Sequence, residues 1–179
     1  MRNTMQAIDG NSKLDMNRIN CGNESIKQFY EERLMAEAKN MEKHARYRSQ
    51  FERLNLAMEN KFYLEAIFIE YAILEDKAWS ALKHAGYDGC EKTDGLERKL
   101  DSVKALRKST DLAAKYLSLQ LIGDVKCWKN DRNKLVHNLM ETELETKKLR
   151  GLAVRGRKLV DTFGGKVSQF NRALGRRKS

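Results

Sequence analysis

Arg132 and His137 stand five positions apart in the run Trp128-Lys129-Asn130-Asp131-Arg132-Asn133-Lys134-Leu135-Val136-His137. Arginine offers a planar, permanently charged fork that grips an oxyanion at two points, and histidine titrates near neutrality, so the pair is suited to anion binding coupled to proton transfer. On a helical wheel at about 100° per residue, Leu121, Val125, Trp128, Leu135, Val136 and Leu139 share a narrow sector, and Arg132 falls inside it. A guanidinium on a core face must be paired, hydrogen-bonded or snorkelled to water, because an isolated buried charge costs several kcal/mol, roughly. His137 lies about 140° round from Arg132 on an unbroken helix, with Asn133 one turn beneath it. The two groups therefore converge only if the helix ends or bends between them, or if a second chain supplies its own copy.

Three further positions belong to this constellation. Lys129 and Lys134 flank Arg132 and are candidate phosphate contacts. Glu70 is the third, since the wheel sets it among Tyr63, Ala66, Ile67, Ile73 and Leu74, away from the polar stripe of Glu65, Asp76 and Lys83. A carboxylate facing apolar neighbours either holds Arg132 or His137 in place or pairs with Lys77 or another helix.

Helices must position these groups. The chain has 179 residues, no proline, 34% charged and 41% hydrophobic residues, which suits long solvated helices better than a turn-rich sandwich. That length is one domain's worth, enough to bury a core without disulfides or metal. Residues 1–22, rich in Asn, Gly, Asp and Arg, are expected to form a flexible leader. Glu24 to Met58 lacks Gly and Pro and reads as a long charged amphipathic helix, with one break allowed near His44–Ser49. Lys61 to His84 is apolar on nearly every side and belongs mid-bundle, with Gly86 as its stop. A shorter helix follows from Leu96 to Leu106. Asp111 is placed as N-cap of a fourth helix running to about Asn138, which carries the Arg132–His137 run. The last helix is expected from near Glu141, acid-first and base-last, with Gly164 and Gly165 interrupting it. The fold class that results is an all-α antiparallel bundle of four to five helices over residues 23–163, followed by a basic C-terminal tail, 164–179.

Charge and cysteine usage narrow the function classes. The formal net charge is +10, and residues 147–179 hold 11 Lys or Arg against one acid, Asp161, so this one segment accounts for the whole excess. Such a cluster points to an anionic partner, with Arg172, Arg176, Arg177 and Lys178 tracking phosphates, or else to a solvated helix end. Cys21, Cys90 and Cys127 are odd in number and widely spaced, and neither an apolar signal segment nor a membrane-length apolar run occurs, so free thiols, a cytoplasmic location and no membrane partner are expected. His44, His84 and His137 fall on separate segments, so no metal and no cofactor are expected. Phosphate-binding, dinucleotide-binding and nucleophile-elbow glycine patterns do not occur, which disfavours the usual nucleotide-hydrolysing and hydride-transfer folds.

The Arg132-Asn133-x3-His137 run resembles the signature of HEPN domains, an Arg followed by a polar residue and then a His near the end of a bundle helix. Its setting resembles those bundles as well, since it follows the apolar helix reading Glu70-Tyr71-Ala72-Ile73-Leu74-Glu75-Asp76. The resemblance covers roughly residues 24–163. It implies a homodimer whose two motifs face each other across a cleft, joined through the motif helix, and a metal-independent endoribonuclease in which Arg132 and His137 are catalytic. Metal-free RNA cleavage needs a base for the 2′-OH, an acid for the leaving 5′-oxygen and positive charge on the phosphorane, which two such motifs supply. Asn133 would orient His137 or donate to a phosphate oxygen, or simply cap.

Many members of that family are toxins of toxin–antitoxin or phage-defence systems, which implies an antitoxin partner. In a subset, a nucleotidyltransferase modifies a Tyr two positions after the His; here that position is Leu139, so this mode of neutralisation is not implied. The alternatives are a non-catalytic RNA- or nucleotide-binding bundle, and a charged helical adaptor, which leaves Arg132 unexplained.

Overall fold

The computed structural model of the chain describes residues 13–138 and 145–178, all helix and connecting turns among them. Six helices occur there: α1 (Lys13–Glu59), α2 (Tyr63–Ala85), α3 (Leu96–Ser109), α4 (Asp111–Tyr116), α5 (Leu119–His137) and α6 (Thr146–Lys178). The all-α expectation holds. The chain divides into two units, residues 1–48 and 49–179, each of which is described by itself.

The first unit is α1 up to Arg48. The leader expected over 1–22 lies outside the described residues as far as residue 12, and from Lys13 the backbone is helical. The break allowed near His44–Ser49 does not occur. The segment contains no helix breaker, and Lys27–Glu31, Arg33–Glu37 and Arg46–Glu42 lie one turn apart along it at 4.0, 3.2 and 3.8 Å. Exposed pairs of this kind support a helix by a few tenths of a kcal/mol each, roughly.

The second unit is a bundle organised on α2. Ala66, Ile67, Leu74, Ala78, Ala81 and Leu82 of α2 are completely buried, as its all-round apolar sequence requires. The final turns of α1 join this unit: Leu54 and Ala57 are buried, Arg53 bonds Glu65 at 3.2 Å, and Asn55 accepts from Arg157 at 2.6 Å. Two helix ends close in the same way. Tyr87 and Gly86 N–H groups return to Leu82 and Lys83 carbonyls with Gly86 left-handed, φ 70°. Phe62 and Lys61 return likewise to Ala57 and Met58, but here Lys61 takes the left-handed position, φ 62°.

The expected fourth helix is two. Thr110, not Asp111, caps α4, its hydroxyl accepting from Ala113 N–H at 3.0 Å. The chain then leaves helical geometry at the buried Leu117, and Ser118 restarts it by accepting from Leu121 N–H at 3.2 Å.

The larger correction concerns the C-terminus. The expected start of the last helix near Glu141 lies outside the described residues, but α6 runs uninterrupted through Gly164 and Gly165 to Lys178. Val160, Phe163, Val167 and Phe170, at steps of three and four, are buried to 1% exposure or less. Burying two phenylalanines and two valines outweighs two helical glycines at about 1 kcal/mol each. The segment from 164 onward is therefore part of the bundle and not a separate tail. α3 and α5 pack antiparallel, Glu97 meeting Lys129 and Asp101 meeting Lys126. α2 and α6 run parallel, with Glu70 near Gly156, Lys77 near Gly164, and Ser80 bonded to Asn171 at 3.2 Å.

Candidate functional site

Arg132 sits on α5, and its side chain reaches across to α2. Leu121, Val125 and Trp128 on the same face are buried, Trp128 also donating its indole N–H to the Leu152 carbonyl at 3.0 Å, and this anchors the helix against α6. One helical turn beyond Trp128, Arg132 is half-buried. Its guanidinium carbon lies 4.8 Å from the centre of the Phe68 ring and 4.6 Å from that of Tyr71. Phe68 and Tyr71 are three residues apart on α2, hence on one face, and together they form an aromatic cradle for the cation. Each contact of this type contributes about 0.5–2 kcal/mol.

The polar partners of Arg132 are few. Its Nη1 donates to Asn133 Oδ1 at 3.2 Å, while its Nε is buried without a hydrogen-bond partner. Among the described residues no carboxylate forms an ion pair with it. Several other buried or interhelical cations in this unit have one, Lys99 reaching Glu75 at 2.8 Å, Lys126 reaching Asp101 at 2.6 Å and Glu97 at 2.9 Å, and Arg155 reaching Asp131 at 2.8 Å, whereas Arg107, like Arg132, has a buried Nε without a hydrogen-bond partner. Asp131, the acid adjacent to Arg132 in sequence, is thus turned to α6. Among the described residues, the Arg132 charge is left without an acidic partner.

The other expected residues separate around it. His137 is the last residue of α5 and exposed, so on this continuous helix it lies about 140° round from Arg132, and among the described residues no contact joins the two. Asn133 is spent on Arg132, not on His137. Lys134 is exposed and remains available to solvent-side ligands. Lys129 is not: it is held by Glu97 of α3, with only 12% of its side chain exposed. An acid 32 positions earlier takes the charge that the local sequence left unassigned. Leu139 lies outside the described residues, as do the side chains of Arg177 and Lys178. Arg172 and Arg176 are exposed on α6, Arg172 also donating to the Ser168 carbonyl at 3.2 Å.

Glu70 supports neither Arg132 nor His137. It is fully buried against α6, where Gly156 provides the room and Trp128 lies alongside. Neither carboxyl oxygen has a hydrogen-bond partner. Burial raises its pKa to about 9, offset in part by Arg157 and reinforced by Asp161, so the group is neutral at pH 7. The wheel correctly placed this acid inward, but its contact partner was set by α6, which no local pattern reveals.

Phe68, 43% exposed, also lines a shallow groove of about 450 Å³ together with Gln50, Arg53, Leu64, Ile69 and Ala72. The aromatic pair Phe68 and Tyr71 was missed in the sequence because each reads as an ordinary apolar helix position. Among the described residues, no cluster of three His, Cys, Asp or Glu side chains has the geometry of a metal site, and no helix is long and apolar enough to cross a membrane. Comparison with protein-family models, with curated proteins and with solved structures finds no match.

Proposed function

We propose that the chain is a metal-independent endoribonuclease of the HEPN type, acting as a dimer in which Arg132 and His137 of two copies share one cleft. The observation that carries this reading is the guanidinium of Arg132, held between Phe68 and Tyr71 with no carboxylate paired to it among the described residues. Such a cation is preorganised for a phosphate and is only partly hydrated, which strengthens its pull on the charge of a phosphorane. His137, exposed at the helix end, is the proton-transfer group. Because it points away from Arg132 of its own chain, the reading requires a second chain. The groove beside Phe68 offers an aromatic edge for a base flanking the scissile phosphate, which favours single-stranded RNA. A cellular role as the toxin of a toxin–antitoxin or phage-defence system, with an antitoxin partner and a cytoplasmic location, belongs to the same proposal.

A second reading, an RNA- or nucleotide-binding bundle that does not cut, is favoured by the separation of His137 from Arg132 within one chain. One experiment separates the two. Purified full-length protein is incubated with mixed single-stranded RNA in EDTA, and product ends are analysed. The enzyme yields 2′,3′-cyclic phosphate and 5′-hydroxyl ends, as attack by the neighbouring 2′-OH demands. Binding without cleavage establishes the second reading, and activity lost only on chelation refutes the mechanism.

A further inference from the structure

Between residues 26 and 41, α1 displays Ile26, Phe29, Tyr30, Leu34, Met35 and Met41, each between 57% and 74% exposed. Ile26, Tyr30, Leu34 and Met41 recur at steps of four, four and seven, and Ala38 and Ala45 continue their line. These six positions fall in a sector of about 120° on a helix wheel, with Phe29 and Met35 to either side and Lys27, Glu37 and Arg48 intruding. Ile26, Tyr30, Leu34 and Met41, with Ala38 and Ala45 between and after them, thus line one side of the helix over about 29 Å, an exposed apolar track interrupted by charges, of the kind that marks an interaction surface.

The charges say what covers it. Residues 24–37 contain four acids and two bases, whereas residues 38–48 contain four bases and one acid. The segment is therefore acidic in its first half and basic in its second. A second copy laid antiparallel sets acidic half against basic half at both ends, while a parallel copy sets like against like. We propose that α1 is a self-association element: residues 26–48 of two chains pair antiparallel, apolar face to apolar face, about a twofold axis near the charge boundary at residues 37–38. A twofold contact of this kind is self-complementary, so one surface is sufficient for a closed dimer. The pairing uses α1 and not the motif helix, so a dimer joined only through α5, as the nuclease reading has it, would survive changes confined to residues 26–48.

Sedimentation velocity of the full chain at micromolar concentration tests it. The wild type should be a dimer. Leu34→Glu combined with Met41→Glu should weaken association at least tenfold, with helicity by circular dichroism retained because both side chains are exposed. The reversal of Glu31, Glu32 and Glu37 to Lys makes both halves basic and should also dissociate an antiparallel pair, whereas a parallel pair would only exchange one like-charge repulsion for another. His137→Ala should remain dimeric. A monomeric wild type, a dimer that survives the Leu34/Met41 change, or one indifferent to the charge reversal would each overturn the proposal.

Discussion

Gly156 on α6 and Glu70 on α2 occupy complementary space: a Cβ at Gly156 would collide with the Glu70 carboxyl and lie 2.8 Å from Trp128 Cε2. The two helices approach closely at this point because one contributes no side chain and the other fills the gap with an uncharged acid. Gly156→Ala should therefore destabilise the bundle by about 1–3 kcal/mol, the usual cost of overpacking a tight core, instead of giving the gain that alanine brings to an open helix. Urea denaturation decides it; a stabilised variant would mean that α2 and α6 separate readily.

Glu70 also makes stability depend on pH. Its folded-state pKa is about 9 against an ordinary value of 4.5, so between these limits the folded chain holds a proton that the unfolded chain releases. Stability from this group is unaffected below about pH 4.5 and falls as pH rises toward 9, with a slope of up to about 1.4 kcal/mol per pH unit. Glu70→Gln removes the titration. Relative to the wild type it should gain stability steadily from pH 5 to pH 8 in urea melts, and parallel curves would mean that the carboxyl is solvated.

Lys61 holds the left-handed turn between α1 and α2 at a cost that glycine avoids. Lys61→Gly should raise stability by about 0.5–1 kcal/mol after the entropy of the glycine is set against the relieved strain. A lower melting temperature for the variant would contradict the turn geometry.

Under the proposed nuclease mechanism, His137→Ala should slow RNA cleavage about 10²–10⁴-fold while RNA affinity changes little. Arg132→Lys keeps the charge but loses the fork and much of the aromatic contact, so both rate and affinity should fall. Phe68→Ala is the more specific probe: it leaves Arg132 charged yet unsupported on one side, and the loss should appear mainly in the rate. Single-turnover assays on folded variants measure these effects, and wild-type rates for His137→Ala would discard the assignment.

Removing residues 165–179 should unfold or severely weaken the bundle, because Val167 and Phe170 leave the core with them. Loss of one buried phenylalanine alone costs about 3–5 kcal/mol. A truncated chain with an unchanged thermal transition would restore the separate-tail reading.

What could be read from the sequence follows the range of the interaction that decides each feature. Gly86 ending α2, the inward Glu70 and the core-facing Arg132 depend on neighbours within a turn or two, and all three were legible. The three-and-four spacing of Val160, Phe163, Val167 and Phe170 was equally local, but Gly164 and Gly165 were given more weight than the packing that overrides them. The break at Leu117–Ser118 needed the cap to outweigh an otherwise continuous apolar pattern. Lys129 seemed available because Glu97 lies on another helix, and Phe68 and Tyr71 became a cradle only once the fold brought the Arg132 side chain over them from α5. Pairings of that kind are set by tertiary structure and leave no local trace.

The unbroken course of α6 has an entropic consequence. Lys158, Arg172 and Arg176 lie on the side of the helix opposite Phe163 and Val167, so the excess positive charge rides on an element whose backbone is already ordered. A polyanion that meets this face does not have to freeze a disordered segment, a step that costs about 1–2 kcal/mol per residue fixed. The charges stand at intervals dictated by the helical rise, Arg172 and Arg176 about 6 Å apart along the axis. Under the proposed function such an array would discriminate by geometry, favouring anions whose charges repeat at a matching distance over diffuse ones.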